Sequence, residues 1–472
     1  MRRKEDVMAW LKNANDALSG VVWGLPMMVL LIGTGLFLSL RTGFIQIFDF
    51  KYAMKNTLGK LFKKQNAGEG SVTPFQALTT ALAATAGTGN IAGITYAVTL
   101  GGPGALFWLW ASALIGMCTK YAEVVLAIKF RERNARGDWV GGPMYYIKNG
   151  LGQKWQWLSV LFCIFGALAA FGIGNAVQVG NITSSINSAI QIFSPGAAGS
   201  EGIINLVIGI ILAVLAGVTL LGGIKRLGRA TELIVPVMTI IYVAGCLAVI
   251  FINIGSIGRV FAQIFREAFS PTAALGGAAG ISLKTAISWG LRRGVFSNEA
   301  GLGSAPIAHA STSEKDPVKQ GLYGIFEVFM DTIVICTITG LALLMSGIDM
   351  GYGVEGSAAL NIDAFATVFG QKTSGIIISS CTTLFAFATV LGWSLYGTRC
   401  AEYLFGEKSI RVYQAIYIAV IVIGATMDLG LAWEISDTLN GLMVIPNLIA
   451  LLGLSGVVIK LTKEHFKTPP TL

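Results

Sequence analysis

Long uncharged runs of apolar residues, separated by short polar stretches, dominate this sequence. A membrane-spanning helix needs about 20 predominantly apolar residues, and most of the runs reach or exceed that length. The pattern therefore predicts eleven spanning helices. Their approximate ranges are 21–40, 74–99, 104–130, 156–192, 203–224, 232–254, 280–312, 320–346, 374–398, 412–430 and 434–459.

A different pattern occupies residues 41–64, directly after the first predicted span. Apolar side chains such as Phe44 and Phe48 alternate there with lysines such as Lys51 and Lys55. A helix with an apolar face and a lysine-rich face is typical of a segment that lies on an anionic membrane surface. We therefore predict an amphipathic interfacial helix in this region.

The composition agrees with a membrane protein and argues against soluble classes. Of the 472 residues, 54% are hydrophobic and 12% are charged, whereas about 25% are charged in soluble proteins. The six cysteines form no CxxC motif, and the two histidines are too few for a metal or catalytic cluster. We therefore expect no enzyme activity, no cofactor, no disulfide framework and no zinc site.

The net charge of +9 arises from Lys and Arg residues that stand between the apolar runs. Such residues mark the cytoplasmic loops of polytopic proteins, so the charge does not indicate a nucleic-acid partner. If the loop after the first span is cytoplasmic, most loop Lys and Arg fall on the cytoplasmic side. We predict a multi-pass protein of the cytoplasmic membrane, with its amino terminus outside and its carboxyl terminus inside. Lys284, Arg292 and Arg293 do not fit this assignment.

Two of the predicted spans contain residues that interrupt helices. The span 74–99 contains Gly-Thr-Gly-Asn at 87–90, and the span 280–312 contains glycines, small polar residues, Glu299 and Pro306 near its middle. Gly and Asn are poor helix formers, and unpaired backbone groups in lipid are costly unless they line a cavity or bind a ligand. We therefore predict that both helices open at mid-membrane. The alternative is that the glycines only allow close helix packing.

Interrupted segments at corresponding places in two halves of a chain are typical of the binding site of a secondary transporter. These breaks fall in the second and seventh predicted spans, five spans apart. The predicted fold class is an all-α polytopic membrane protein with 11 transmembrane helices, in which a five-plus-five inverted repeat follows one extra helix. The predicted divisions are 1–72 for the extra helix and the interfacial helix, 73–256 and 257–460 for the two repeats, and 461–472 for a cytoplasmic tail.

A small amphoteric solute needs donors for its carboxylate and acceptors for its ammonium group. The amides of Thr88 and Gly89, at the start of the second half-helix, supply donors and the positive end of a helix dipole. Carbonyls of residues 83–86 and near Phe296 supply acceptors. Gln178, a polar residue at membrane depth, is expected either to contact the solute or to make an ordinary hydrogen bond between helices.

Aromatic and charged residues inside the predicted spans are further candidates. Phe296 and Trp393 would close the pocket over a small side chain, or they are ordinary core aromatics. A carboxylate at membrane depth is costly, so Glu299 is expected to be protonated, paired, or in contact with the solute or a cation. Arg293 would lie in a water-filled vestibule as part of an outer gate. Lys120 and the nearby Glu123 are expected to form a local salt bridge.

Two runs carry a family resemblance that covers roughly residues 70–460. Residues 101–116 (GGPGALFWLWASALIG) closely resemble the signature of the alanine or glycine:cation symporter family, and residues 296–309 (FSNEAGLGSAPIAH) resemble its second hallmark. The resemblance implies the inverted-repeat fold of the amino acid-polyamine-cation transporters, shared with the neurotransmitter:sodium symporters. The 87–90 break is similar to the Gly-Leu-Gly-Asn break of those symporters.

The resemblance also implies Na⁺ as the coupling ion, held by neutral carbonyl and hydroxyl oxygens. At the first position it implies the Thr85 carbonyl, the Asn90 side chain and Ser297. At the second it implies the carbonyls of Ala83 and Ala86 with a hydroxyl from the 374–398 span, for which the candidates are Thr389, Thr382 and Thr383.

We therefore expect sodium-coupled symport of a small neutral amino acid, alanine and also glycine, by alternating access. The expected partners are the amino acid and the lipid bilayer, with no obligate protein partner. The expected substrate-binding residues are Thr85, Gly87, Thr88, Gly89, Gln178, Phe296, Asn298, Glu299, Gly301 and Trp393. The alternatives are a proton-coupled symporter that uses Glu299, and a channel or sensor built on a transporter scaffold.

Overall fold

The structure, a computed structural model, describes residues 2–60, 67–68, 71–269, 283–353, 358–427 and 430–467. Parts of several predicted segments lie outside these residues, namely 61–64, 280–282, 428–429 and 468–472. The described chain is helical almost throughout. The helices are α1 (Arg2–Val22), α2 (Leu25–Thr42), α3 (Ile45–Phe48), α4 (Phe50–Thr57), α5 (Pro74–Thr85), α6 (Ala92–Gly101), α7 (Ala105–Lys129), α8 (Pro143–Tyr146), α9 (Gln156–Phe171), α10 (Val177–Phe193), α11 (Glu201–Leu220), α12 (Gly223–Ile252), α13 (Ile257–Phe269), α14 (Leu283–Asn298), α15 (Ala305–His309), α16 (Pro317–Val328), α17 (Thr337–Ser346), α18 (Ala358–Phe369), α19 (Gln371–Phe405), α20 (Ser409–Thr426), α21 (Gly430–Gly453) and α22 (Ser455–Lys467).

Tighter and wider turns link or extend these helices. The 3₁₀ turns are Leu58–Lys60, Thr88–Asn90, Gln153–Trp155, Pro195–Ser200 and Ile254–Ser256. The π-helical segments are Ile147–Leu151, Gly172–Ala176 and Phe329–Cys336. Single π turns inside helices occur frequently at functional sites, and two of these three lie within predicted spans.

Nine helical stretches of the described chain are long and apolar enough to cross a membrane. They are Trp10–Thr42, Ala105–Lys129, Gln153–Phe193, Glu201–Leu220, Gly223–Ile252, Pro317–Ser346, Gln371–Phe405, Ser409–Thr426 and Glu434–Gly453. The other two predicted spans, 74–99 and 280–312, are each divided into shorter helices. The total of eleven, the repeat layout and the divisions between repeats stay predictions.

The outer surface of the helix bundle is apolar. Ile203 near the start of α11 is 72% exposed, Leu221 directly after its end is 69% exposed, and Leu233 on α12 is also 69% exposed. Soluble monomers rarely expose apolar patches of this extent. These helix faces therefore lie against lipid, as expected of a multi-pass membrane protein.

Two long helices organise the interior. Helix α19 packs against α5, α9, α10 and α12, and α7 packs against α14 and α16. Close approach is possible where glycine replaces a larger residue, since a Cβ on Gly392 of α19 would lie 2.7 Å from the backbone nitrogen of Ala84 in α5. The end of α5 and the end of α14 are thereby held near the centre of the bundle.

Some local structure between the spans was not predicted from the apolar runs. A short antiparallel hairpin, β1 (Glu132–Arg133) and β2 (Trp139–Val140), follows α7, and α13 precedes the second broken span. Arg131, beside the hairpin, donates hydrogen bonds to the carbonyls of Ala310 and Thr312 just after α15. The predicted interfacial segment is helical where it is described, as α3 and α4.

Candidate functional site

The first broken helix opens where the sequence predicts it. Helix α5 ends at Thr85, Gly87 is extended (φ −124°, ψ −155°), and α6 begins only at Ala92. The Asn90 side chain holds the turn, because its Oδ1 accepts a hydrogen bond of 3.0 Å from the Gly87 amide. The prediction of an interrupted helix at 85–90 is confirmed.

The second broken helix opens at the end of α14. Glu299 has a φ of +54°, and Gly301 and Gly303 have φ values of +92° and +80°. These are left-handed conformations that glycine adopts at no steric cost and that a side chain such as glutamate rarely adopts. The prediction of an interrupted helix near 296–303 is confirmed.

Helix α7 satisfies the backbone groups that the second break exposes. Glu123 Oε1 accepts hydrogen bonds from the amides of Gly301 (3.0 Å) and Gly303 (3.1 Å), and from Asn447 Nδ2 (2.6 Å). The predicted local salt bridge between Lys120 and Glu123 is wrong. Lys120 Nζ instead lies 3.3 Å from Glu327 Oε1 on α16, and both side chains are fully buried. Glu123 is not the partner of Lys120 because its carboxylate binds the amides of the second break.

The two breaks meet at a buried polar cluster. Asn90 Nδ2 lies 3.2 Å from Ser297 Oγ and donates to Asp331 Oδ1 at 2.7 Å. Ser297 Oγ and Thr332 Oγ1 donate to the other carboxylate oxygen of Asp331, at 2.6 and 2.8 Å. The prediction brought Asn90 and Ser297 together but missed Asp331. Its signal was available, since an acidic residue inside an apolar span is costly and marks a function by default.

A small cavity of about 20 Å³ lies beside this cluster. It is lined by most of the predicted substrate-binding residues, by Thr389 of the predicted sodium-site residues, and by three residues that were not predicted, Ala84, Ile173 and Asn440. The predicted residues that line it are Thr85, Gly87, Gly89, Gln178, Phe296, Glu299, Thr389 and Trp393. The cavity is so contracted that neighbouring side chains must move before a small organic solute fits.

Hydrogen bonds fix the polar walls of this cavity. Thr88 Oγ1 donates to Gln178 Oε1 at 3.0 Å. Trp393 Nε1 donates to Glu299 Oε1 at 3.0 Å, and Ser304 Oγ donates to Glu299 Oε2 at 2.5 Å. Glu299 is therefore paired with two neutral donors, and Gln178 both bonds another helix and lines the cavity.

The remaining predicted residues lie outside the cavity lining. Asn298 Nδ2 donates to Thr332 Oγ1, and the Gly301 amide is bonded to Glu123. Thr382 and Thr383 precede Thr389 by about two turns of α19, and Thr383 Oγ1 donates to a carbonyl of its own helix. Ala83 and Ala86 are buried at the end of α5, and their carbonyls belong to the first break.

Arginines lie above the cavity at the end of α14. Arg292 Nη2 forms a salt bridge of 2.8 Å with Asp437 Oδ2 on α21. The Arg293 guanidinium lies over the rings of Trp289, Tyr96 and Phe296, at 5.3, 5.4 and 5.6 Å from their centroids. Arg293 thus contacts both broken helices, through Tyr96 of α6 and Phe296 of α14.

A much larger groove of about 910 Å³ lies between α2 and α14. Its walls are mostly apolar, with Leu25, Met28 and Ile287 among them, and it lies outside the bundle centre. A site that orients a small polar solute needs convergent polar groups, so the smaller polar cavity is the candidate site.

Comparisons with known proteins agree with this arrangement. A family model described as the sodium:alanine symporter family matches residues 8–470. The "Sodium/alanine symporter AgcS" of Methanococcus maripaludis is 46% identical over 450 residues, which cover 95% of this chain and 96% of that protein. An "Uncharacterized transporter" of Haemophilus influenzae is 46% identical over 453 residues, which cover 96% of this chain and 95% of that protein.

One solved structure supports the fold. MhsT in complex with L-phenylalanine matches with a TM-score of 0.60, covering 84% of this chain and 99% of that chain. The identity is 14%, so this likeness concerns the fold alone.

Proposed function

Because the chain belongs to the sodium:alanine symporter family, we propose that this transporter couples the entry of Na⁺ to that of a small neutral amino acid, alanine and also glycine. The observation that carries the proposal is the meeting of two broken helices at one buried cluster, where Asn90 contacts Ser297. Such breaks place dipole ends and free carbonyls at mid-membrane, where transporters of this architecture bind solute and ion.

The amino acid would bind between the two breaks. The amides of Thr88 and Gly89 would donate to its carboxylate, because they open the short turn that leads into α6. Phe296, Gln178 and Trp393 line the same cavity, and they would leave room only for a small side chain. A methyl group or a hydrogen atom fits such a wall.

Sodium would bind next to the solute at the Asn90 cluster. Na⁺ is a hard cation and prefers oxygen ligands, and the Thr85 carbonyl, Ser297 Oγ and the Asp331 carboxylate supply them. Asp331 adds a negative charge that offsets part of the cost of placing a cation in a buried site. A second sodium position would use the Ala83 and Ala86 carbonyls with Thr389, which lines the cavity.

Both ligands would use the same opened backbone, so the binding of one would lower the cost of ordering it for the other. That coupling is reciprocal by thermodynamic necessity. Inward movement of one Na⁺ releases about 2.3 kcal/mol per 100 mV of membrane potential. A tenfold sodium gradient adds about 1.4 kcal/mol. One ion could therefore drive accumulation of several hundredfold.

The outer pathway would close through the arginines of α14. Arg292 joins α14 to α21 through Asp437, and Arg293 covers Phe296. Alternating access would then require this layer to open when one bundle rocks against the other, as in transporters with inverted repeats.

The direct test is uptake of labelled alanine into proteoliposomes. With an inward sodium gradient we expect concentrative, saturable uptake, and with choline in place of sodium we expect equilibration at most. Counterflow that distinguishes enantiomers would exclude a channel. Equal uptake with and without the sodium gradient would contradict sodium coupling.

Proton coupling through Glu299 is the second candidate, favoured by the position of this carboxylate in the cavity wall. Uptake that is driven by a proton gradient, ignores sodium and is lost in Glu299→Gln would support it. Under sodium coupling, we expect Glu299→Gln to weaken uptake while its sodium dependence persists.

A further inference from the structure

Asn440 is a buried polar residue of the cavity wall that the sequence did not indicate. It lies on α21, is 2% exposed, and lines the same cavity as Gln178, Glu299 and Trp393. Its Oδ1 accepts no hydrogen bond from any residue that the structure describes. A buried amide oxygen without a donor costs free energy, so this atom requires a donor at the cavity.

The other side-chain carbonyl and carboxylate oxygens of the cavity wall already accept hydrogen bonds. Gln178 Oε1 accepts one from Thr88, and the two carboxylate oxygens of Glu299 accept from Trp393 and Ser304. Among the described lining residues, Asn440 therefore offers the amide oxygen that is free to accept from a bound solute.

The position of Asn440 on α21 supports this assignment. Asp437 and Asn447 lie three residues before and seven residues after it, a spacing that places all three on one helix face. Asp437 forms a salt bridge with Arg292, and Asn447 Nδ2 donates to the Gly301 carbonyl at 2.9 Å. This face thus contacts the second broken helix on both sides of Asn440, which lies at the level of the cavity.

We propose that Asn440 Oδ1 accepts a hydrogen bond from the ammonium group of the transported amino acid, so that α21 contributes a binding residue. This inference rests on the proposed function. An alkylammonium group carries three donors and no acceptor, and every amino acid has one, so the contact recognises the class of solute. The amides of Thr88 and Gly89 would donate to the carboxylate at the other end of the zwitterion.

The test compares glycine and alanine binding to purified Asn440→Leu and Asn440→Asp. Glycine has no side chain, so it reports contacts to the ammonium and carboxylate groups alone. In Asn440→Leu we expect the dissociation constants for glycine and alanine to rise together, by about tenfold or more. Asn440→Asp keeps an acceptor oxygen of similar shape, and we expect it to retain much of the affinity.

Asn187→Leu is the matched control. Asn187 is also a buried asparagine whose Oδ1 has no partner among the described residues, but it lies on α10, outside the cavity lining. We expect this variant to bind both amino acids as the wild type does. Thermal unfolding of each variant establishes that it is folded, and Asn440→Ala replaces Asn440→Leu if the latter does not fold.

Three results would overturn the proposal. Unchanged glycine affinity in a folded Asn440→Leu or Asn440→Ala protein would show that Asn440 does not bind the ammonium group. Weakened alanine binding with unchanged glycine binding would assign Asn440 to the side chain of the solute instead. If the wild-type protein binds neither amino acid, the proposed function itself fails. Failure of the Asn440 proposal alone leaves binding to the wild-type protein intact.

Discussion

Asp331 is the main residue of the polar cluster that was not predicted from the sequence. It is fully buried, and three side chains, Asn90, Ser297 and Thr332, donate to its carboxylate. All of these donors are neutral. A buried carboxylate surrounded by neutral donors is suited to hold a cation, because the cation supplies the opposite charge that burial demands.

We therefore expect Asp331→Asn to weaken sodium binding. The sodium concentration for half-maximal alanine uptake should rise about tenfold or more, which corresponds to about 1.4 kcal/mol. The matched control is Asp349→Asn, the same chemical change at an exposed position, which should leave the sodium dependence unchanged. If Asp331→Asn needs the same sodium concentration for half-maximal uptake as the wild type, Asp331 does not bind the ion.

The contacts of individual side chains were the features that the sequence predicted least well. The family resemblance implied that Asn90 and Ser297 lie together at the ion position, and both residues belong to breaks that glycine makes visible locally. Asp331 and Asn440 lie in helices whose own sequence shows no break at those positions, so their proximity to the cavity follows from packing between distant segments. Lys120 pairs with Glu327 rather than Glu123 for the same reason.

At the level of elements, both broken helices were predictable. Gly and Asn disfavour helix through local backbone energetics, and those energetics act whatever packs around them. What stabilises the second break was not predictable, because Glu123 reaches it from α7, about 180 residues away in the chain. The hairpin after α7 and the helix α13 were also missed, because both lie between the predicted spans, where the pattern of long apolar runs gives no signal.

Removing the Glu123 carboxylate should destabilise the second break. Glu123→Ala leaves the amides of Gly301 and Gly303 without this acceptor and removes one of the two acceptors of Asn447 Nδ2. Each unpaired buried donor costs about 1–3 kcal/mol. We expect a large fall in the thermal unfolding temperature in detergent, and a smaller fall for Glu123→Gln, which keeps an oxygen.

The control for this prediction is Glu132→Ala. Glu132 belongs to a partly exposed salt bridge with Lys148 at 3.1 Å, and such surface pairs contribute about 0–1 kcal/mol. If Glu123→Ala unfolds at the same temperature as Glu132→Ala, then Glu123 does not hold the break.

The start of α16 provides a pH-dependent test of helix capping. Asp316 caps this helix through the amides of Val318 and Lys319, and His465 Nδ1 lies 3.1 Å from its Oδ2. Burial alone would raise the pKa of Asp316, but the His465 ring and the two amides outweigh burial and lower that pKa below its ordinary value. The folded state therefore favours the carboxylate.

Because the folded pKa of Asp316 is lowered, its stabilisation is present above the ordinary value of about 3.9 and is lost as pH falls through the lower folded value. Asp316→Asn keeps a capping oxygen but removes the charge. We expect it to unfold at a lower temperature than the wild type at neutral pH, with the difference shrinking below about pH 4. A difference that stays constant through this range would show that the charge is not responsible.

For the whole molecule, the sequence was sufficient for class and general architecture. The apolar runs located the spans because the bilayer core contains no water to bind backbone N–H and C=O groups. Those groups must therefore form hydrogen bonds within the helix. In the described part of the chain, nine spanning helical stretches and two divided spans agree with that pattern. The predicted orientation rests on the Lys and Arg residues of the loops.

The orientation has its own test. The excess of loop Lys and Arg predicts that the hairpin after α7 and the carboxyl terminus face the cytoplasm. A cysteine introduced at Asn134, in a version of the protein without its native cysteines, should react with an impermeant reagent in inside-out vesicles and be protected in intact cells. Labelling from outside intact cells would reverse the assigned orientation.

The central claim is that one interrupted site binds the amino acid and Na⁺ together. The most direct measurement is equilibrium binding of alanine to the purified protein over a range of sodium concentrations, with the reciprocal sodium titration at fixed alanine. We expect sodium to tighten alanine binding by about 5- to 150-fold, and alanine to tighten sodium binding by the same factor. Alanine affinity that is identical with sodium and with choline would contradict a shared site.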